Sequence, residues 1–264
     1  MRILFLGDIV GEPGRKTVRK LVPRLRAQLG VDVVIANGEN MAGGAGITAK
    51  TAAEVFEAGV DVITGGDHMW DQKEIMAYLP ADPRILRPLN YPPGAPGQGA
   101  FLLQKPSLAP LVVLNALGRV FLPPLDNPFH VVPAEVRRWR ATTPLLFLDF
   151  HAEATSEKIA LARLLDGQIS AVIGTHTHVQ TADEQILPGG TAYLTDAGFT
   201  GAHASVLGRE IEPVIKGFLT NLPQRFPVAT AQPRLQGALI EVDQATGRAR
   251  SIRRINETMP EPNP

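Results

Sequence analysis

Polar and apolar positions fall in blocks along this chain, and the blocks alternate in period. "RILFLG" (residues 2–7) is a continuous apolar run of strand length, followed by a glycine-rich turn. Val18, Leu21, Val22, Leu25 and Leu29 then recur at helical spacing, with Arg15, Lys16, Arg19, Lys20 and Arg26 opposite. This predicts a helix over 14–29, kinked at Pro23. "VDVVIA" reads as a buried strand, "TAKTAAEVFEAG" as a helix closed by Gly59, "VDVITG" as a strand and "DQKEIMAYL" as a further helix. Later, "PLLFLDF" gives a strand. "TSEKIALARLLDG" gives a helix capped by Thr155 or Ser156 and ended at Gly167, and "ISAVIG" gives another strand. Apolar runs separated by amphipathic helices predict βαβ units and a largely parallel or mixed sheet.

Residues 80–110 break this rhythm with eight prolines and "YPPGAPGQGAF", which predicts a long loop or insertion, a flap over a site. Further on, "QILPGGTAYLTDAG" reads as a hairpin turning at Gly189-Gly190. "GREIEPVIKGFL" reads as a helix with Ile211, Val214, Ile215, Phe218 and Leu219 on one face. "GALIEVDQATGRARSIRRI" reads as a second hairpin turning near Thr246-Gly247, its basic second strand a charge-protected edge. "MPEPNP" is expected to fray. The 264 residues show no repeat of fixed period and are expected to form one α/β domain over 1–264.

Composition narrows the function. Lys plus Arg equals Asp plus Glu, 26 against 26, which argues against a broad footprint for duplex nucleic acid but not against a small nucleotide. Cysteine is absent, so a metal site must use His, Asp, Glu or Asn, and a cytoplasmic location is expected. No apolar stretch is long enough to span a bilayer, and "MRILFLGDIV" is too short for a signal peptide's apolar region.

The chemistry gathers where the strands end. Asp8 follows the first strand, Glu39 and Asn40 the second, Asp67 and His68 the third, His151 the fourth, and His176 and His178 the fifth. In open α/β sheets the ligand crevice lies outside these carboxyl ends. One Asp or His after a strand is ordinarily a turn residue, but five such coincidences call for a site. His130 and His203 fall outside the set and are given no metal role. In extended backbone His176 and His178 would point the same way, roughly 6.6–7 Å apart. They would then reach one metal from two sides, or two neighbouring metals with one imidazole each. Nitrogen and oxygen donors of this kind suit Zn, Mn, Fe, Co or Ni better than Mg or Ca. The set is too large for one tetrahedral site and fits two metals about 3.5–4 Å apart.

The order Asp8, Glu39-Asn40, "GDH" at 66–68, His151 and "GTHTH" at 174–178 resembles the calcineurin-like metallophosphoesterases. Those usually read D-x-H, G-D-x-x-D, G-N-H-[DE], H and G-H-x-H. Val10 stands where the first histidine would be, Glu39-Asn40 replaces the aspartate of the second motif, and Asp67 stands in place of Asn. With "GDIVGEPGR", "ANGENMAGG" and "DFHAEATSEK", these departures are similar to the YmdB-like branch of bacterial phosphodiesterases, from residue 2 to about residue 210. The resemblance implies a four-layer α/β/β/α sandwich with a mixed sheet core, homo-oligomers, and hydrolysis of phosphodiesters including 2′,3′- or 3′,5′-cyclic nucleotides or RNA ends. It implies that Asp8, Asn40 and His178 hold one transition-metal ion, Fe or Mn first among the candidates. Asp67, His151 and His176 hold the second, Glu39 bridges them with a hydroxide, and His68 is the general acid.

Other readings are weaker. Amidohydrolase barrels also use an H-x-H pair, but on their first strand, and eight evenly spaced βα units are not visible. Glycines at 7, 11 and 14 match no phosphate-loop spacing. A regulatory protein that keeps the metal site to sense a cyclic nucleotide is the alternative that residues alone leave open.

Overall fold

The computed structural model describes residues 1–260, so the end of the "MPEPNP" tail lies outside the described residues. The described chain contains fourteen strands and six helices. In the first sheet β1 (Arg2–Leu6), β3 (Val33–Asn37), β4 (Val62–Thr64) and β5 (Ile85–Leu86) run parallel. On the other side of β1 come β13 (Pro233–Val242), antiparallel to it, then β12 (Phe199–Ala202) and β2 (Asp8–Ile9), while β14 (Ala249–Thr258) pairs with β13. In the second sheet β7 (Leu111–Leu117), β8 (Leu146–His151), β9 (Ala171–Thr175) and β11 (Ala192–Leu194) are parallel. Antiparallel β6 (Ala100–Leu103) and β10 (Gln185–Ile186) form its edges.

Side-chain alternation along each strand makes the layers. Ile3 and Phe5 of β1 turn inward with Val33, Ile35 and Val62 to meet Val113, Phe147, Ala171 and Ile173 of the second sheet. Phe5 and Phe147 meet at 5.1 Å between ring centroids, tilted by 43°. Leu4 and Leu6 turn outward onto Val18, Leu21, Val22 and Leu25 of α1 (Gly11–Leu29) and Ala52 and Val55 of α2 (Ala49–Glu57). On the far side, Leu146, Leu148 and Val172 pack on Val132 and Val136 of α4 (Pro128–Arg140) and Leu161 and Ala162 of α5 (Thr155–Leu164). This is the expected α/β/β/α sandwich. Among the described residues no helix is long and apolar enough to cross a membrane.

Several elements differ from expectation. The first helix begins at Gly11 and runs unbroken through Pro23, whose ring sits on the exposed side. Only Ile75–Tyr78 (α3) of "DQKEIMAYL" is helical, because residues 68–74 form turns tied to neighbouring loops, as by Gln72 Nε2 donating to Ala45 O at 3.0 Å. Helix α5 has no side-chain cap from Thr155 or Ser156; Ala154 holds that place. Residues 80–110 form the crossing from the first sheet to the second and contribute β5 and β6. Strand β7 and helix α4 were not anticipated. Pro133 inside α4 reads as a breaker, although Asn127 caps the helix by accepting from Phe129 N at 3.0 Å. Helix α6 (Ile211–Thr220) forms, but of its apolar face only Val214 is buried; Phe218 and Leu219 are 85% and 81% exposed. Both hairpins form, with Gly190 and Gly247 at positive φ.

The inter-sheet contact predicts a measurable cost. Phe147→Ala removes the ring facing Phe5 and should destabilise the fold by about 3–5 kcal/mol in urea unfolding. A loss under about 1 kcal/mol would show that the two sheets do not depend on this contact.

Candidate metal centre

The carboxyl ends of five strands, three from the first sheet and two from the second, converge on one point. Glu39, Asp67, His151 and His176 each place a ligand atom so that all four lie within 4.8 Å of one another. His151 Nε2 stands 3.1 Å from Asp67 Oδ1, 3.2 Å from Glu39 Oε1 and 3.0 Å from His176 Nδ1. Asp8, Asn40 and His178 stand beside this group. His178 Nε2 is 3.8 Å from Asp8 Oδ1 and 3.4 Å from the Asn40 amide, which in turn reaches Glu39 Oε1 at 2.9 Å. Of the seven residues expected as ligands, four form this group and Asp8, Asn40 and His178 stand beside it. His68 lies at its rim with Nε2 3.7 Å from Asp67 Oδ2. His130 and His203 stay out of it.

The conformation of the histidine pair is not the expected one. Strand β9 ends at Thr175, and His176 and His178 take φ of 95° and 60°, a left-handed region that costs non-glycine residues of order 1–3 kcal/mol each. The intervening Thr177 explains how the turn is held. Its N–H and Oγ1 both donate to Asp196 Oδ2, at 3.1 and 2.7 Å, and the fully buried Lys158 Nζ donates to the same oxygen at 2.8 Å. The turn splits the pair: His176 faces Asp67 and His151, whereas His178 faces Asp8 and Asn40.

His151, His176 and His178 each spend one ring nitrogen on an oxygen behind them and turn the other to the cluster, an arrangement that would fix a metal-binding tautomer. His151 Nδ1 meets Thr175 Oγ1 at 2.9 Å, and that hydroxyl donates to Asp149 Oδ1 at 2.6 Å. His176 Nε2 meets Glu153 Oε2 at 3.1 Å, and His178 Nδ1 meets Leu207 O at 3.2 Å. Asp149 also accepts from Asn37 Nδ2 at 2.9 Å and Thr64 Oγ1 at 2.5 Å. Burial pushes its carboxyl up to about 6 against the opposing effect of His151 and the two hydroxyls.

The electrostatics are those of packed opposite charges. Burial opposes charge on Asp8 most, yet His178 and His151 outweigh it and hold the carboxyl well below the usual range. Asp67, against the same opposition from burial, is drawn down to about 2 by His151, His68 and His176. His151 is raised well above the ordinary histidine value. Its own burial works against this, but the carboxylates of Glu39, Asp67 and Asp8 prevail. Burial, then the charge of His151, lowers His176. Tyr91, carried by the 80–110 crossing, packs edge-on against Trp70 at 5.6 Å. Its phenol is pushed up first by burial and further by Asp67 and Glu39, which brings the crossing within electrostatic reach of the cluster.

Two observations show that the donors suit cations. Asp8 Oδ1 is buried with no hydrogen-bond partner among the described residues, although burying an unpaired carboxylate oxygen is costly. At Gly66 a Cβ would lie 2.1 Å from Glu39 Oε2 and 2.5 Å from His151 Nε2, so the backbone approaches the donors as only glycine allows.

Sequence reasoning missed the supporting residues Asn37, Asp149, Glu153, Lys158 and Asp196. Asp149 was within reach, because it stands two positions before His151 on one strand and so shares its face. Asp196 carried no local signal.

Comparison with known proteins agrees with this geometry. The model of the family described as YmdB-like protein matches residues 4–255. The chain is 49% identical to a 2′,3′-cyclic-nucleotide 2′-phosphodiesterase of Bacillus subtilis over 97% of its own length and 96% of the relative's. A hypothetical protein from Thermus thermophilus superposes with a TM-score of 0.92 at 42% identity, over 98% of this chain and 100% of the other. A novel phosphatase from Mycoplasma pneumoniae gives 0.92 at 34%, over 98% and 93%.

Gly66→Ala should lower bound metal severalfold while leaving the far-ultraviolet circular dichroism unchanged. Gly94→Ala, where a Cβ meets nothing within 4 Å, is the matched control. Full metal content in the Gly66 variant would show that the donors are not as tightly gathered as described.

Proposed function

Because the chain belongs to the YmdB-like family, we propose that it is a metal-dependent phosphodiesterase acting on 2′,3′-cyclic nucleotides. The observation that carries this reading is the convergence of Glu39, Asp67, His151 and His176 within 4.8 Å. The name of the Bacillus relative supports the substrate class, and RNA ends bearing the same cyclic phosphate present the same chemistry. Two transition-metal ions, with iron or manganese first among the candidates and Zn, Co or Ni also suited to these donors, would activate a water and offset the negative charge of the reacting phosphate.

The residues divide the work. Asp8, Asn40 and His178 would hold one ion and Asp67, His151 and His176 the other. Glu39 lies between them, since its Oε1 reaches both the Asn40 amide and His151 Nε2. His68 supplies the proton. Asp71 Oδ2 holds its Nδ1 at 3.0 Å, its N–H donates to Glu39 Oε2 at 3.1 Å, and its half-exposed ring leaves Nε2 at the mouth of the site. Water adds to phosphorus, the bond to the 2′ oxygen breaks, and His68 protonates that oxygen, leaving the 3′-phosphate. In this reading the whole chain works as one domain, and Tyr91 of the 80–110 crossing walls the substrate side.

The decisive assay is turnover of 2′,3′-cyclic AMP with added Mn²⁺, with product analysis and 3′,5′-cyclic AMP as the comparison. The expected result is the 3′-nucleotide, two metals per chain, and loss of activity in EDTA. Binding without turnover would make the protein a sensor. His68→Gln should lower kcat by roughly 10²–10⁴-fold and keep its metal, with a smaller loss for a nitrophenyl ester whose leaving group needs no proton. Equal losses for both substrates would assign His68 to binding instead.

Asp67 sets a charge preference. Asp8 and Glu39 alone would leave two divalent ions at a formal +2, and Asp67 brings the site to +1, which favours a monoanionic diester over a dianionic monoester. Asp67→Asn should therefore tighten phosphate inhibition and raise monoesterase relative to diesterase activity. Equal phosphate inhibition constants at matched metal occupancy would remove the charge argument.

A further inference from the structure

Away from the metal centre, the chain buries a second charge without a counter-charge. Arg87 follows β5 at the start of the crossing between the sheets, and the residue is only 8% exposed. Its backbone is fixed, with Arg87 N donating to Gln98 O at 3.0 Å. Its guanidinium is not. Nη1 donates to the neighbouring Pro88 O at 2.8 Å, and Nε is buried with no partner among the described residues. No salt bridge to Arg87 is formed among the described residues, although Asp82 stands shortly before it in the chain and Glu135 lines the same cavity. Asp82 is taken by Arg84 in a two-pronged pair at 2.9 and 2.6 Å. Glu135 is shared between Trp139 Nε1 at 2.7 Å and Arg138 at 2.9 Å. Burial accordingly lowers the Arg87 pKa, and the one titratable group that counters it is the Tyr91 phenol. Arginine is effectively always protonated, so its charge cannot be relieved by losing a proton.

Arg87 lines a cavity of about 560 Å³, together with Gln98, Phe101, Glu135, Arg138 and Trp139. The volume is that of a small-molecule site. A second arginine, two aromatic rings and the Glu135 carboxylate, paired with Arg138 at 2.9 Å, stand on its wall.

We propose that this cavity is a second binding site, in which Arg87 receives the oxyanion of a small-molecule ligand, a phosphate or a carboxylate. Its guanidinium carries five N–H donors, of which only one from Nη1 is engaged among the described residues, by Pro88 O, so charge-assisted N–H groups remain to meet either oxyanion. Gln98 and Arg138 stand at the rim to contact the remainder of the ligand. The proposal does not depend on the activity assigned to the metal centre. No bond is made or broken at this site.

The test uses the full-length chain titrated calorimetrically with inorganic phosphate and, in a parallel arm, with acetate, before and after EDTA. Once metals are removed, Asp8, Glu39 and Asp67 repel anions, so binding that survives chelation reports the second site. The expected result is one such event per chain, weakened about tenfold or more in Arg87→Gln. The stronger of the two arms identifies the oxyanion. Should Arg87→Gln fail to fold, Gln98→Glu decides. A second carboxylate on the cavity wall, one not engaged by Arg138 and Trp139 as Glu135 is, should weaken anion binding by a similar factor and raise the thermal midpoint in anion-free buffer. No chelator-resistant binding of either anion, or equal affinities in wild type and a folded Arg87→Gln, overturns the proposal. So does Gln98→Glu with unchanged affinity.

Discussion

Gathering carboxylates out of water is the constraint around which this molecule is built. Asp8 and Glu39 are buried and Asp67 nearly so, all aimed at one small volume, and they can be held together only by positive charge. Meeting that demand requires both sheets. Asp8, Glu39 and Asp67 come from loops of the first sheet, while His151, His176 and His178 come from the second. The seam is stitched beneath the cluster, where Asp149 of β8 accepts from Asn37 of β3 and Thr64 of β4. The apolar contact of Phe5 with Phe147 and the polar contact of Asp149 with Asn37 therefore serve one end. They fix the distance at which the two halves of the donor set meet.

Much of this was legible in the chain, for a physical reason. A strand that ends in a donor places that donor within one or two residues of an apolar run, so the relation is local and can be read. The five strand ends and all seven expected ligands come from that relation. What failed was whatever depended on distant partners. Extended backbone at His176 and His178 was a fair expectation from spacing, but the turn there is set by Asp196 and Lys158, which lie far along the chain on either side. The outward face of α6 fails similarly, since helical spacing identifies an apolar stripe but not whether anything covers it. The proline-rich 80–110 stretch was hard to read because its strands are two and four residues long.

The sheet order also separates the alternatives. A barrel of the amidohydrolase kind needs one closed parallel sheet, whereas this chain folds into two open mixed sheets with antiparallel edges. A glycine-rich phosphate loop is excluded by the packing of the glycines after β1. Gly7 and Gly14 serve close backbone approach, with a Cβ at 2.0 Å from Gly198 O and 2.4 Å from Thr200 O respectively. Those glycines let β12 lie against the start of α1, and so bring Phe199 under His178 at 5.3 Å between ring centroids. Their role is in seating His178 rather than in binding a phosphate.

The strained turn at residues 176–178 shows how the fold divides its labour. Two non-glycine residues at positive φ would relax if nothing opposed them, and their imidazoles would leave the cluster together. Opposition comes from Asp196, whose Oδ2 receives Lys158 Nζ and both donors of Thr177, and whose Oδ1 receives Gly198 N at 2.8 Å. Four donors on one buried carboxylate leave it little reason to move. Lys158 belongs to α5, on the outer layer, so its side chain passes the second sheet to reach the turn. Gly174 makes room for that passage: a Cβ there would meet Lys158 Cδ at 2.8 Å and Thr195 O at 1.8 Å. A buried ion pair is ordinarily a poor source of stability because desolvation offsets the attraction. Here its value lies in geometry. It holds His176 toward Asp67 and His151 and His178 toward Asp8 and Asn40, one histidine for each half of the donor set.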